Sequence, residues 1–300
     1  MPALHNGSIT PLPTQGLPHA MIESPLPNLR AWAETLAKLE IPVLPGTVAE
    51  LSQLREIEEN NGNVDAHTLA EGFSNDPLMT LKVLVQVSKH CTRLSVEPPE
   101  TLVGAIVMQG ISPFFHTFQD IHTILDWLRD RPEALSGLIK VITRARRSAH
   151  FAMNFALRRQ DQDAVVIQEA ALLHDFAEML LWCHAPDLAL EIANRLKTDH
   201  TQRSQVVQRE VLGITLDDLG HELMRLWNLP ELLIECTDGH KMNDPRVRSV
   251  ILGVQIARHT QHGWDDPHAE MALPADIKDV AQLLTLSYDA AQRLVMSIDG

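Results

Sequence analysis

Apolar residues recur at steps of three and four along most of the chain. Leu29, Trp32, Ala33, Leu36 and Leu39 keep that spacing, and Val48, Leu51, Leu54 and Ile57 repeat it after the break at Pro42 and Pro45. Steps of this size gather side chains on one helical face. Sustained two-residue alternation of β-branched positions, the mark of a half-buried strand, is not seen, so the expected fold class is all-α. The polar punctuation agrees. Asp65 and Asp76 stand where N-caps belong, and Pro77 follows Asp76 at a first helical position. Pro132 to Arg159 reads as one long helix with Leu138, Ile142, Ala145, Ala149, Ala152 and Ala156 on one face. Further helices are expected near 186–197, 205–212, 216–227 and 230–237. Two more, near 246–262 and 277–297, are expected around a turn-rich stretch from Gly263 to Pro274.

One stretch differs from the rest. Val166 to Trp182 is of helix length, and Ala170, Ala171, Leu172 and Leu173 point apolar groups in nearly every direction. Such a helix belongs in a core. His174 and Asp175 sit in its middle, where water is scarce. A buried carboxylate needs a metal, a cation or several donors beside it.

Bulk composition narrows the function. A formal charge of −14 argues against a general nucleic-acid binder, which needs clustered positive charge. The cysteines Cys91, Cys183 and Cys236 are too scattered for a disulfide frame or a zinc knuckle and suggest a reducing, cytoplasmic setting. No apolar run approaches membrane-spanning length and no signal-peptide pattern opens the chain. Residues 1–27 carry six prolines and little apolar content, so a flexible Pro-rich tail is expected there.

Five landmarks then fall in a recognisable order: Ile41-Pro-Val-Leu-Pro45, Asn75-Asp-Pro-Leu-Met-Thr80, Thr101-Leu-Val-Gly-Ala105, Leu172-Leu-His-Asp175 and Leu226-Trp-Asn-Leu-Pro230. Together they resemble the HDOD family, the HD-related output domains of bacterial signalling proteins. The resemblance implies an HD-domain-like helical bundle over residues 28–241, a C-terminal helical extension over 242–300, and a regulatory role. HD hydrolases hold a divalent metal with an early histidine, the His-Asp pair and a later aspartate. His174 and Asp175 match the pair. The early position falls on Arg147, which has no lone pair to offer a cation. A later family histidine falls on Leu216, and the closing histidine pair is half kept as Gly239-His240.

These departures favour a non-catalytic module that binds a signalling protein or a nucleotide-type ligand, with no cofactor and with the His174–Asp175 pair vestigial. The alternative is a divergent metal-dependent phosphohydrolase holding a divalent ion at His174 and Asp175, with His150 and His240 as candidate recruits. Lys140, Arg144, Arg147 and Arg158 share a helical face. They are expected as a solvated face, with Arg144, Arg147 and Arg158 as the candidate anion contacts. If Asp175 is buried without metal, an arginine or lysine is required beside it. Arg147 is one candidate, although the helical wheel turns it away from its own helix's apolar stripe.

Overall fold

The computed structural model of the chain describes residues 21–199 and 201–299. Its elements in order are α1 (Leu29–Leu36), α2 (Pro45–Asn61), α3 (Ala66–Phe73), α4 (Pro77–Leu94), α5 (Leu102–Gln109), α6 (Ile111–Thr117), α7 (Ile124–Trp127), α8 (Pro132–Arg159), α9 (Ala164–Leu173), α10 (Phe176–His184), α11 (Pro186–Thr198), α12 (Ser204–Leu212), α13 (Leu216–Leu226), α14 (Glu231–Thr237), α15 (Pro245–His259), α16 (Pro267–Leu284) and α17 (Tyr288–Ile298). The protein is all-α. Among the described residues the extended pairing is a single bridge, in which Val43 N–H donates to His122 and Val43 C=O accepts from Ile124.

Asp76 shows how sequence punctuation becomes architecture. Its Oδ1 caps α4 by accepting from the amides of Leu78 and Met79 at 3.0 and 3.1 Å. Its Oδ2 accepts from Leu44 N–H at 2.8 Å and Thr47 Oγ1 at 2.7 Å. One buried side chain thereby ties the start of α2 to the start of α4.

The spine is α8. Leu138, Val141, Ile142, Ala145, Ala149, Ala152 and Ala156 face the main core, while Phe151 and Phe155 turn to a second apolar cluster built by α15, α16 and α17. The α8–α15 crossing is close. A Cβ on Gly253 would stand 2.7 Å from Ser148 C=O and 3.1 Å from Ala152 N, so glycine alone fits there. α15 serves both clusters, with Val250 and Val254 in the first and Leu252 and Ile256 in the second. Helices α15, α16 and α17 therefore pack directly on the long helix.

The structure departs from the sequence expectations in three places. The 166–182 stretch is two helices, α9 and α10, broken at His174 and Asp175. The Gly263–Pro274 stretch is helical from Pro267 onward, because Asp266 caps α16 through His268 N–H and Pro267 takes the first position. The single helix expected over 277–297 is interrupted, with Thr285 in the left-handed region at φ 54° and Ser287 capping α17. Residues 1–20 of the expected tail lie outside the described residues. Of the remainder, Met21, Ile22 and Leu26 pack on the core, and Ile22 N–H donates to His184 C=O at 2.8 Å.

Candidate functional site

The break between α9 and α10 frees the Asp175 carboxylate to meet groups on α8 and α15. Asp175 leaves helical geometry at φ −97°, ψ 21°, and its C=O receives Glu178 and Met179 N–H to start α10. Its carboxylate makes no cap bond and turns instead toward α8. There Arg144 Nε donates to Asp175 Oδ2 at 2.8 Å, and Nη2 lies 2.7 Å from the same oxygen. Arg144 Nη2 also donates to Glu178 Oε2 at 2.6 Å. The other oxygen, Oδ1, stands 2.8 Å from His174 Nδ1 and 3.4 Å from Arg258 Nη2, which comes from α15. Asp175 is 9% exposed and Arg144 10%, so this network is largely shielded from water.

The charges follow from that geometry. Burial alone would push the Asp175 carboxyl up, but Arg144, then Arg258 and His174, hold it well below the usual carboxylate range. Burial likewise opposes the charge on Arg144, and Glu178 and Asp175 more than offset it. Asp175 is thus an ionised, buried carboxylate neutralised by a guanidinium.

This donor set does not fit a divalent ion. Arg144 Nε already donates to Oδ2 and Nη2 lies against the same oxygen, so a cation seated there would meet its guanidinium. Among the described residues, no group of three or more histidine, cysteine, aspartate or glutamate side chains is arranged to hold a metal. His150 and His240 are exposed and do not join His174 and Asp175 in such a group.

The cation beside Asp175 is Arg144, not Arg147. Arg147 points to the other side of α8 and grips the C-terminal layer. Its Nε donates to the Asp299 carboxylate at 2.9 and 3.1 Å, Nη1 donates to Ala257 and Thr260 C=O, and Nη2 donates to Thr260 Oγ1. Two members of the expected solvated strip are therefore committed to carboxylates of this chain, while Lys140 and Arg158 stay exposed. Glu178 carries a signal that sequence reading passed over, since it lies one turn beyond Asp175 on the same face. Arg258, eighty-three residues away, carries none.

Another buried carboxylate, Glu169, lies on α9. Both Glu169 oxygens stand near Leu102 N–H, at 3.0 and 3.2 Å, at the start of α5. With burial uncompensated by any cation, its carboxyl is pushed up to about 7.

Comparison with known proteins closes the assignment. No curated relative matches the chain. The MmoQ response regulator of Methylococcus capsulatus is similar in structure, with a TM-score of 0.61 and 19% identity over 85% of this chain and 98% of that one. A virulence factor of Campylobacter jejuni has a TM-score of 0.63 and 18% identity over 89% and 94% of the two chains. At such identities the likeness is one of fold. The HDOD domain model matches residues 41–242, and the chain accordingly belongs to the HDOD family.

Proposed function

We propose that this protein is a non-catalytic signal-transduction module whose HD centre survives as an internal ionic lock, and which acts by binding a partner protein. The observation that carries the reading is Arg144 seated on Asp175 and Glu178 from within the fold. A metal entering the His174–Asp175 pair would have to evict a guanidinium that is almost fully buried and would leave it without its counter-ions, which is strongly unfavourable. The likeness of fold to a protein described as a response regulator supports the regulatory part of the reading. Because Arg144 and Arg147 are both taken by internal carboxylates, a protein partner fits better than a nucleotide-type ligand on the arginine strip.

The alternative, a divergent phosphohydrolase using His174 and Asp175, is tested by incubating the protein with Mn2+ and a panel of nucleotides and cyclic dinucleotides. No turnover is expected, and no thermal shift with the same compounds. Hydrolysis that disappears in Asp175→Asn would overturn the proposal.

A further inference from the structure

The last helix sits in a groove that a second copy of this chain can fill. α17 lays Ala291 and Val295 against Phe151 and Phe155 of α8, Leu252 and Ile256 of α15 and the apolar side of α16, all in one cluster. Beyond it, Asp299 is clasped by Arg147. An apolar face with a charged clasp at its end is the geometry by which a groove recognises an amphipathic helix.

The hinge holding α17 in its own groove is short and strained. α16 ends in a left-handed cap, with Thr285 at φ 54° and both Thr285 and Leu286 N–H donating to Ala281 C=O. Glycine is the residue suited to that cap, and a β-branched side chain there is unfavourable. Among the described residues, Thr285 is the β-branched member of the non-glycine residues with positive φ, the others being Ser95, Gln160 and Asn228.

The sequence itself favours the unbroken form. Ile277, Ala281, Leu284, Tyr288, Ala291, Val295 and Ile298 follow one another at steps of four and three straight through the break. Nothing in that periodicity marks Thr285 as a boundary. If Thr285 returns to right-handed geometry, α16 and α17 become one helix and α17 leaves its groove. The vacated surface then carries buried aromatic residues that require cover.

We infer that the chain forms a domain-swapped dimer, in which α16 and α17 fuse into one helix and the α17 of each copy fills the groove of the other. Every contact of the closed monomer is remade between copies, including the Arg147–Asp299 clasp, so the swap costs no apolar burial and relieves the hinge. Closed and swapped forms then differ mainly in Thr285 strain, the Ser287 cap and the entropy of association.

Two substitutions push in opposite directions. Thr285→Gly removes the strain of the closed hinge in both copies and lowers the dimer fraction, by about a hundredfold in association constant. Ser287→Ala removes the cap of α17, where Ser287 Oγ accepts from Ala290 N–H, and raises it. Sedimentation equilibrium over a concentration series reads both. A third pair tests the swap itself. Arg147→Asp and Asp299→Arg each place like charges at the closed clasp, and each alone is expected to dimerise poorly. Mixed after brief partial unfolding, they are expected to give a heterodimer by native mass spectrometry, because both clasps are then complementary. Dimer fractions unmoved by Thr285→Gly and Ser287→Ala, or a strictly monomeric mass for all variants at high concentration, would overturn the inference. So would a dimer from the mixed variants no more abundant than either homodimer.

Discussion

Arg144 Nη2 lies 2.7 Å from Asp175 Oδ2 and 2.6 Å from Glu178 Oε2, so one guanidinium on α8 serves two carboxylates on the α9–α10 segment. The same Nη2 that neutralises the aspartate of the HD pair also fastens α10 to the long helix. Removing it leaves Asp175 buried with Arg258 as its remaining cation, and Arg258 is half exposed. Arg144→Met is expected to destabilise the fold by about 3–5 kcal/mol, the usual cost of stranding one member of a buried pair. The double variant Arg144→Met/Asp175→Leu is expected to recover most of that loss. Urea denaturation midpoints for the single and double variants check both, and additive losses would contradict the pairing.

Asp175 and Glu169 respond to pH in opposite senses. Asp175 is held low, so its stabilisation is present above the unfolded carboxylate range and is lost as pH falls through its depressed folded value. Glu169 is pushed up to about 7, so between its unfolded value near 4.5 and about 7 the folded state holds a proton that the unfolded state has lost. Its contribution therefore declines as pH rises across that window and stays low above it. Glu169→Gln keeps an acceptor for Leu102 N–H without the charge. Relative to the parent protein it is expected to gain stability from pH 5 to pH 8, on the order of a few kcal/mol. Thermal midpoints of the two proteins at both pH values read the difference, and a gap that does not change with pH would contradict the assignment.

Asp76 accepts four hydrogen bonds that join two helix starts. Asp76→Ala strands the Leu44, Leu78 and Met79 amides together with the Thr47 hydroxyl, and is expected to cost about 2–4 kcal/mol. Asp76→Asn, which keeps only part of the acceptor capacity, is expected to fall between the two. Chemical denaturation orders the three proteins.

At Gly253 α15 approaches the backbone of α8 too closely for a Cβ. A methyl group there would press on Ser148 C=O and the Ala152 amide nitrogen, both backbone atoms that cannot swing aside. Gly253→Ala is expected to push α15 outward and to raise hydrogen exchange in α15–α17 more than in α1–α7. Uniform exchange across the chain would show that the C-terminal layer does not depend on this crossing.

Much of the fold is written in local pattern. The span of α8 is legible from its proline start and apolar stripe, because each turn repeats the same demand. The Asp76–Pro77 start is equally plain, since capping chemistry is local. Breaks that keep the apolar period are not legible. The stripe runs on through His174–Asp175 and through Thr285, so periodicity alone reads continuous helices at both. Arg147 shows a different limit. The helical wheel correctly turns it away from the main apolar stripe, but only the three-dimensional arrangement reveals that α15–α17 cover that side and bring Asp299 to it, across 152 positions. The requirement for a cation at Asp175 follows from burial. Which arginine supplies it depends on how α8 crosses α10, and sequence spacing does not encode that crossing.

The role assigned to Arg144 is tested most directly by elemental analysis of the protein purified without chelator, alongside Arg144→Met and His174→Ala/Asp175→Ala. The parent protein is expected to carry Mn, Fe, Ni and Zn far below one ion per chain, at the same level as the double variant. Near-stoichiometric metal in the parent that disappears in His174→Ala/Asp175→Ala would contradict the assignment of Arg144 as the resident cation.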